Sequence, residues 1–197
     1  MNKIIENKLR RLKIIKKANQ FILVIKDKLY LYTKVNNVWK SELETNCIFG
    51  KNGFSANRKE GDGTTPIGIF KILYAFGTED GINTNLKYKK IKQTSYFSCD
   101  INNEDEYNTW VESDVKIAGE HLIDYPKQYH YAFALGFNMN PIIIGNGSAI
   151  FLHVRGEKDS TEGCIAVEEE VMKYLFKKIT NNAYIIIVED VKQIKNI

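Results

Sequence analysis

Short apolar stretches bounded by turn residues recur along the chain from residue 21 onward, and they predict a succession of β-strands. Segments 21–25 and 29–33 flank the tripeptide Lys26-Asp27-Lys28, a pattern typical of a β-hairpin. The aromatic, alternating segment 129–137 predicts another strand. Three further strands are predicted at segments 141–144, 149–154 and 184–188. Strands therefore dominate the predicted secondary structure.

Two segments carry the apolar spacing of a helix instead. Segment 168–179 has an apolar stripe, and its three glutamates lie at the N-terminal end, where they favour the helix dipole. Segment 1–20 has apolar residues at helical spacing and basic residues on the other face, which predicts an amphipathic helix. Such a helix either meets an anionic surface or packs on the rest of the protein. The fold prediction is a mainly β domain with few helices at residues 21–190, preceded by this N-terminal helix at residues 1–20.

The composition is that of a globular protein, because 44% of the 197 residues are hydrophobic, enough for one sizeable core. The formal charge of +4 is concentrated in residues 1–20, which hold seven basic residues and one acid, so the remainder carries −2. No nucleic-acid-binding motif accompanies the basic segment, and nucleic acid is not predicted as a partner. No apolar run reaches the roughly 18 residues of a membrane span, and Lys or Arg interrupts the N-terminal segment too often for a signal peptide.

The three cysteines are Cys47, Cys99 and Cys164. Their odd number and wide spacing do not predict a disulfide framework. Because the chain has no Cys-x-x-Cys or His-x-x-x-His pair, no metal or other cofactor is predicted. Cys47 and Cys99 lie in strand-like surroundings without a nearby histidine, which favours buried, unreactive thiols. Cys164 differs from both, because His153 precedes it by only eleven positions.

Cys164 closes the turn Thr161-Glu162-Gly163-Cys164, and His153 lies in the apolar segment 149–154. A histidine can take the proton of a thiol near neutral pH and so make the sulfur a nucleophile. We therefore predict Cys164 as a nucleophile with His153 as its base, and a thiol pKa below the free value of about 8.5. Gly163 has no side chain, so a substrate carbonyl can approach the neighbouring backbone N–H groups, which can stabilise an oxyanion. This pattern predicts a cysteine acyl-transfer site.

The order of these motifs resembles the L,D-transpeptidase catalytic domain, also called the YkuD or ErfK/YbiS/YcfS/YnhG family. That family has a histidine at the end of a strand, then a loop, then Ser/Thr-x-Gly-Cys, which His153 and residues 161–164 match. The stretch DGTTPIGIF at residues 62–70 is similar to the family segment DGxTPxGxF. Segments similar to the short-loop branch of the family are Tyr107-Asn108, Glu120-His121-Leu122, Phe137-Asn138 and the stretch GSAIFLH at residues 147–153.

Two positions depart from the commonest family pattern, in which Ser-His-Gly-Cys is followed by an arginine two residues after the cysteine. This chain has Glu162 and Ala166 at those positions. The resemblance implies that the missing arginine could have bound a substrate carboxylate, and Arg155 or Lys158 could replace it. The candidate substrate-binding residues are Glu162, Asn138, His121 and Arg155.

The resemblance implies a β-sandwich domain that acts on the stem peptides of bacterial peptidoglycan, in an extracytoplasmic, cell-wall location. Cys164 would attack the carbonyl of the third stem residue, typically diaminopimelate, and release D-alanine. Transfer of the acyl group to an amine of a neighbouring stem gives a 3-3 cross-link, whereas transfer to water makes the enzyme an L,D-carboxypeptidase. Another cysteine peptidase or amidase, or a cell-wall binding module without activity, are the alternatives. The sequence predicts no particular oligomeric state.

Overall fold

The computed structural model describes residues 8, 9, 12 and 17–195 of the chain. From Gln20 to Lys195 it contains fourteen strands, one α-helix and two short 3-10 helices. The strands are β1 Gln20–Ile25, β2 Lys28–Val35, β3 Val38–Asn46, β4 Phe54–Ser55, β5 Thr65–Pro66, β6 Gly68–Gly77, β7 Tyr88–Lys90, β8 Ser95–Ser98, β9 Trp110–Glu112, β10 Gly119–His121, β11 Ala132–Leu135, β12 Phe151–Val154, β13 Ile165–Val167 and β14 Ala183–Val188. The helices are α1 Glu169–Lys178 and the 3-10 helices Leu122–Asp124 and Val191–Lys195. The prediction of a mainly β fold is confirmed.

The predicted amphipathic helix at residues 1–20 lies largely outside the described residues. Among the buried residues of that segment, Leu9 and Leu12 pack in one cluster with Phe21 of β1. The division of the chain into a helix and a domain at residue 20 stays a prediction. Among the described residues, no helix combines the length and apolar character needed to cross a membrane.

Within residues 20–195, nine strands form one mixed sheet in the order β13-β12-β11-β6-β14-β1-β2-β3, with β7 paired to β6. The predicted hairpin is present as β1 and β2, which pair antiparallel with Leu23 opposite Tyr30. Strand β14 lies between β1 and β6, parallel to the first and antiparallel to the second. This order leaves β12 and β13 at one end of the sheet, where Ile48 forms an isolated bridge with Ala166.

Helix α1 covers one face of this sheet. Its buried residues, among them Leu175 and Phe176, pack in one cluster with Phe133 of β11 and Leu152 of β12. The Phe133 and Phe176 rings lie 4.7 Å apart between centroids. Full burial of an apolar side chain of this size stabilises the fold by about 1.5–3 kcal/mol. The contact therefore fixes strand β11, the neighbour of β12, against the helix.

A second sheet, with strand order β10-β8-β9, covers the opposite face. Phe97 of β8 packs edge-on against Phe151 of β12, with the ring centroids 5.0 Å apart. Because side chains alternate along a strand, Phe151 and His153 face this second sheet whereas Leu152 faces α1. His153 thus lies between two sheets, in the manner of a β-sandwich.

Two predicted strands differ from the structure. Segment 141–144 is a loop, in which Asn138 Nδ2 donates to Ile143 O and Asn138 Oδ1 accepts from the Ile143 N–H, both at 2.9 Å. These side-chain hydrogen bonds compete with the ladder that a strand would need. Segment 129–137 is a strand only at Ala132–Leu135, because the Tyr129 N–H donates within the preceding turn to Tyr125 O at 2.9 Å.

Candidate active site

His153 lies on β12 and Cys164 directly precedes the adjacent strand β13, at one end of the large sheet. Strands β12 and β13 pair in parallel, with His153 opposite Ala166. Cys164 directly precedes β13 and lies beside Phe151, whose N–H donates to Cys164 Sγ at 3.3 Å. Residues two apart in a strand share a face, so His153 projects on the side where Phe151 and Cys164 pack together. The two residues predicted as nucleophile and base therefore face the same space.

The His153 ring is held as a neutral base. Its Nδ1 lies 2.8 Å from Val154 O, and since a carbonyl oxygen only accepts, Nδ1 carries the proton. Nε2 then keeps the lone pair that can take a proton. Burial lowers the pKa of His153 to about 4, against the smaller opposing effect of that hydrogen bond. Tyr129 packs edge-on against the ring, with the centroids 5.5 Å apart.

The Cys164 thiol is also neutral in this state. Its Sγ donates to Ala149 O at 3.3 Å. Burial and then the charge of Glu120 raise the pKa of the thiol to about 12, while the Phe151 N–H and Arg58 act in the opposite direction. The expectation of a thiol pKa below about 8.5 is therefore wrong for the free protein, because removal of water around the sulfur outweighs the local donors. The free site is a neutral thiol together with a neutral imidazole.

The other two cysteines differ from each other. Cys47 is buried, and burial raises its pKa to about 12, in agreement with the prediction of an unreactive thiol. Cys99 is only half-buried and lies in the lining of the same cavity as Cys164. The prediction of a buried thiol is therefore wrong for Cys99, which follows the last residue of β8, Ser98, at the rim of the small sheet.

Side-chain hydrogen bonds shape the turn that presents Cys164. Thr161 Oγ1 accepts from the Gly163 N–H at 3.0 Å and donates to Cys164 O at 2.6 Å. Thr65, which is fully buried, donates from Oγ1 to Gly163 O at 2.9 Å. Thr161 thus closes the turn through its own side chain, and Thr65 anchors the turn to the segment at residues 62–70.

This turn bears on the oxyanion role that the sequence predicts for the backbone at Gly163. The Gly163 N–H already donates to Thr161. The Cys164 N–H has no hydrogen-bond acceptor within residues 17–195. The oxyanion role stays a prediction, and the Cys164 N–H is the donor best suited to it.

Gly163 also makes room for Arg58, a residue that the sequence does not single out. A Cβ at Gly163 would lie 2.3 Å from Arg58 Nη1 and 2.8 Å from Thr64 O. Arg58 is buried, its Nη1 donates to Thr64 O at 2.6 Å, and Nη1 lies 3.9 Å from Asp62 Oδ1. A single arginine in a polar loop carries no sequence signal, and only the fold places it against the Gly-Cys turn.

Tyr107 and Asn108 organise the chain that leads into β12. Asn108 Oδ1 accepts from the Ala149 N–H at 3.1 Å, and Tyr107 OH accepts from the Gly147 N–H at 3.1 Å. Ala149 has φ of 52°, in the left-handed region that residues other than glycine seldom adopt. These bonds hold the segment in the conformation that directs Ala149 O at the thiol. The family-like pair Tyr107-Asn108 therefore has a structural role.

A carboxylate and a phenol also lie near the thiol. Tyr129 OH donates to Glu120 Oε1 at 2.6 Å. Burial raises the pKa of Glu120, against the smaller lowering effect of that hydrogen bond. The sequence placed Glu120 in a family-like segment without a role, and the structure brings its charge close enough to affect Cys164. In the described part of the chain, no group of three or more His, Cys, Asp and Glu side chains is arranged to hold a metal ion.

These groups line one cavity of about 840 Å³. Its lining includes Cys164 and His153, and the prediction that both belong to one site is consistent with that arrangement. Glu162 lies in the lining as well, with its side chain 69% exposed and paired with Lys51 Nζ at 2.6 Å. Arg58, Glu120 and Tyr129 are among the lining residues that the sequence did not predict there.

The other predicted substrate-binding residues are not among those that line this cavity. Asn138 uses its side-chain amide for hydrogen bonds to its own loop. His121 stacks on Tyr96 with the ring centroids 4.3 Å apart. Arg155 Nη2 pairs with Asp159 Oδ1 at 2.6 Å. A role in substrate binding stays a prediction for these three side chains, each of which already has protein partners.

The chain matches the model of one known protein family over most of its length. A family model, YkuD, the L,D-transpeptidase catalytic domain, matches residues 14–188. The chain therefore belongs to the YkuD family, and the resemblance drawn from its motifs is confirmed. No match was found among the curated proteins.

Several solved structures are similar to the chain. A variant of the helical cell shape determining protein Pgp2 from Campylobacter jejuni has a TM-score of 0.50 at 15% identity, over 90% of this chain and 51% of that one. Bd1075 from Bdellovibrio bacteriovorus has a TM-score of 0.48 at 16% identity, over 91% and 52%. A variant of the Enterococcus faecium L,D-transpeptidase has 0.44 at 13% identity, over 86% and 50%. The chain spans about half the length of these proteins. At 15% identity, the likeness to Pgp2 concerns the fold alone.

Proposed function

We propose that the protein is a peptidoglycan L,D-transpeptidase. The observation that carries this proposal is that His153 on β12 and Cys164, which directly precedes the adjacent strand β13, line one cavity in a chain of the YkuD family. The partner is the stem peptide of peptidoglycan, and the place of action is the extracytoplasmic cell wall, as membership of this family suggests.

In the first step, Cys164 Sγ attacks the carbonyl carbon of the third stem residue while the thiol proton passes to His153 Nε2. The hydrogen bond from Nδ1 to Val154 O keeps Nε2 as the acceptor and stabilises the imidazolium that forms. The electron pair of the carbonyl moves onto its oxygen, where the Cys164 N–H can donate. Collapse of this intermediate breaks the peptide bond, and D-alanine leaves with the proton from His153. A thioester on Cys164 results.

In the second step, an amine of a neighbouring stem attacks the thioester and gives up a proton to His153. The carbon–sulfur bond breaks, and the sulfur recovers that proton, which restores the neutral pair. The same step with water as acceptor gives a tripeptide and makes the reaction that of an L,D-carboxypeptidase. The ratio of the two products depends on how well the cavity excludes water from the thioester.

The neutral state of the free site constrains the order of events. Burial raises the pKa of Cys164 to about 12 and lowers the pKa of His153 to about 4, so an ion pair is unfavourable before substrate binds. These shifts favour a proton transfer to His153 that accompanies formation of the carbon–sulfur bond. A cysteine kept as a thiol in the free enzyme is also less open to oxidation.

The proposal is tested by incubating the protein with purified tetrapeptide muropeptides and analysing the products by mass spectrometry. Loss of D-alanine with formation of a 3-3 dimer is expected, and Cys164→Ala should yield neither product. Tripeptide without dimer would identify a carboxypeptidase, and cleavage elsewhere in the stem another peptidase or amidase. A β-lactam of the carbapenem type should add to Cys164, whereas a binding module would not react. Absence of any product and of the adduct would refute the proposal.

A further inference from the structure

A buried cation lies against the turn that presents Cys164, without a full set of partners. Arg58 exposes only 7% of its surface. Its Nη1 donates to Thr64 O, its Nε has no hydrogen-bond partner, and Asp62 Oδ1 lies 3.9 Å from Nη1, at the limit of an ion pair. A buried charge is costly unless it is paired and hydrogen-bonded. This guanidinium is therefore suited to receive an anion.

The surrounding backbone is shaped to accommodate the guanidinium. A Cβ at Gly163 would lie 2.3 Å from Arg58 Nη1, and a Cβ at Gly147 would lie 2.6 Å from Arg58 Nε. Both glycines have positive φ, +139° and +105°. Asp62 holds the arginine's own loop, since Oδ2 accepts from the Lys59 N–H at 2.7 Å. The backbone around Arg58 is thus shaped to hold its guanidinium in a buried position.

Arg58 also shares a cavity with the thiol. It lines the same cavity as Cys164, and the glycine against which it packs directly precedes that cysteine. Position 166, where the family pattern commonly has an arginine, is an alanine here. Arg155, which the sequence offered as a replacement, is paired with Asp159 and Glu168. Lys127 and Lys158 also line the cavity, but Arg58 is the buried cation that packs against the residue before Cys164.

We propose that Arg58 is the anion-binding residue of this cavity and holds a carboxylate of the donor peptide beside Cys164. The proposal rests on the proposed function, because the donor stem has a free carboxylate within a few bonds of the carbonyl that Cys164 attacks. A guanidinium is well suited to a carboxylate, since its N–H groups make charge-assisted hydrogen bonds to the oxygens. Arg58 then determines specificity for donors whose carboxylate is free over donors in which it is amidated.

The test compares two alkylating reagents at Cys164 and needs no peptidoglycan. Iodoacetate and iodoacetamide react with the same thiolate, forming the same carbon–sulfur bond and releasing iodide, but only iodoacetate carries a carboxylate. A change in the thiol pKa therefore alters both rate constants by the same factor and leaves their ratio unchanged. In the folded protein this ratio should exceed that of the urea-unfolded chain by on the order of tenfold, the effect of one charge-assisted hydrogen bond. Peptide mapping by mass spectrometry assigns the rates to Cys164.

Three variants sharpen the test. Arg58→Gln should bring the ratio down to that of the unfolded chain, and Arg58→Lys should keep most of it. The control Lys40→Gln, at an exposed cation of β3 outside the cavity lining, should leave the ratio unchanged. A ratio in the unmutated protein equal to that of the unfolded chain would overturn the proposal. So would an Arg58→Gln protein in which both rate constants fall equally, because Arg58 would then act on the thiolate alone. If Arg58→Gln does not fold, acetate decides the question: it should slow alkylation by iodoacetamide where acetamide does not, and no protection overturns the proposal.

Donor peptides separate this proposal from the proposed function. In the unmutated protein a tetrapeptide with a free terminal carboxylate should be preferred over its amidated form, and Arg58→Gln should reduce that preference about tenfold through KM. Equal use of both donors by the unmutated protein would overturn the carboxylate site while leaving the transpeptidase intact. Processing of neither donor, with the alkylation ratio as expected, would refute the proposed function and leave the anion site standing.

Discussion

Replacing Gly163 with alanine should destabilise the protein and disturb the position of Arg58. The new Cβ would lie 2.3 Å from Arg58 Nη1 and 2.8 Å from Thr64 O, both well inside contact distance. Thr64 O belongs to a loop in which Asp62 Oδ1 accepts from both the N–H and the hydroxyl of Thr64 at 2.8 Å, so it has little freedom to move. The φ of +139° adds a second cost, because side chains of L-residues rarely adopt it.

The two costs have different sizes and can be separated. Overpacking a filled site costs about 1–3 kcal/mol, and a residue in such a sparsely populated backbone region costs about 1–3 kcal/mol more. The free energy of unfolding should therefore fall by about 2–6 kcal/mol, which lowers Tm by at least about 4 °C for a chain of this size. Gly61→Ala is the matched control, since Gly61 also has positive φ, +72°, but its Cβ would meet no atom within 4 Å.

Urea denaturation followed by circular dichroism measures both variants. The Gly61→Ala protein should lose about 1–2 kcal/mol from backbone strain alone, and Gly163→Ala should lose clearly more. Alkylation of Cys164 by iodoacetate in the Gly163→Ala protein reports whether the guanidinium has moved. If Gly163→Ala is as stable as Gly61→Ala, the contact between Gly163 and Arg58 does not constrain that residue, and the steric argument is refuted.

Other changes test the remaining groups of the site. Cys164→Ala should abolish turnover with an unchanged circular dichroism spectrum, and a folded variant that keeps activity would eliminate the thiol mechanism. Burial lowers the pKa of His153 from 6.5 to about 4, so between these pH values the unfolded state binds more protons than the folded state. The free energy of unfolding should therefore fall by up to about 3 kcal/mol as the pH drops from about 6.5 to about 4. His153→Gln should remove that part of the pH dependence, and an identical stability profile would contradict it. The rate of alkylation of Cys164 by iodoacetamide should rise with pH, with a midpoint well above the free thiol pKa of about 8.5. Glu120→Gln should lower that midpoint, because the Glu120 carboxylate raises the pKa of the thiol. A midpoint unchanged by Glu120→Gln would place this carboxylate outside the electrostatics of the site.

Patterns confined to a few neighbouring residues predicted their structures well. The alternation around Lys26-Asp27-Lys28 predicted the β1–β2 hairpin, and the apolar stripe at residues 168–179 predicted helix α1 to within one residue at each end. The Thr-x-Gly-Cys turn has the same character, because Thr161 closes it through bonds to residues two and three positions away. In each case the interactions that decide the conformation lie within reach of the local chain.

Segment 141–144 shows where a local pattern is insufficient. Its apolar composition resembles that of a buried strand, yet Ile142 is 37% and Ile143 is 50% exposed, in a loop held by the Asn138 amide. Hydrophobic composition favours a strand only if a sheet is available to bury it. Whether such a partner exists depends on the arrangement of the other strands, which this segment does not encode.

The sequence by itself determined the family and the mainly β class. It also predicted the pair Cys164 and His153, because a strand, a turn and their motif residues lie close together along the chain. Only the tertiary structure decided which charges surround the thiol. Arg58 lies in a loop before β5, and Glu120 lies in β10, both far from Cys164 in sequence. The thiol pKa follows from those charges and from burial, and both act through space. Their strength depends on distance and on the exclusion of water, and neither is fixed until the sheets have packed.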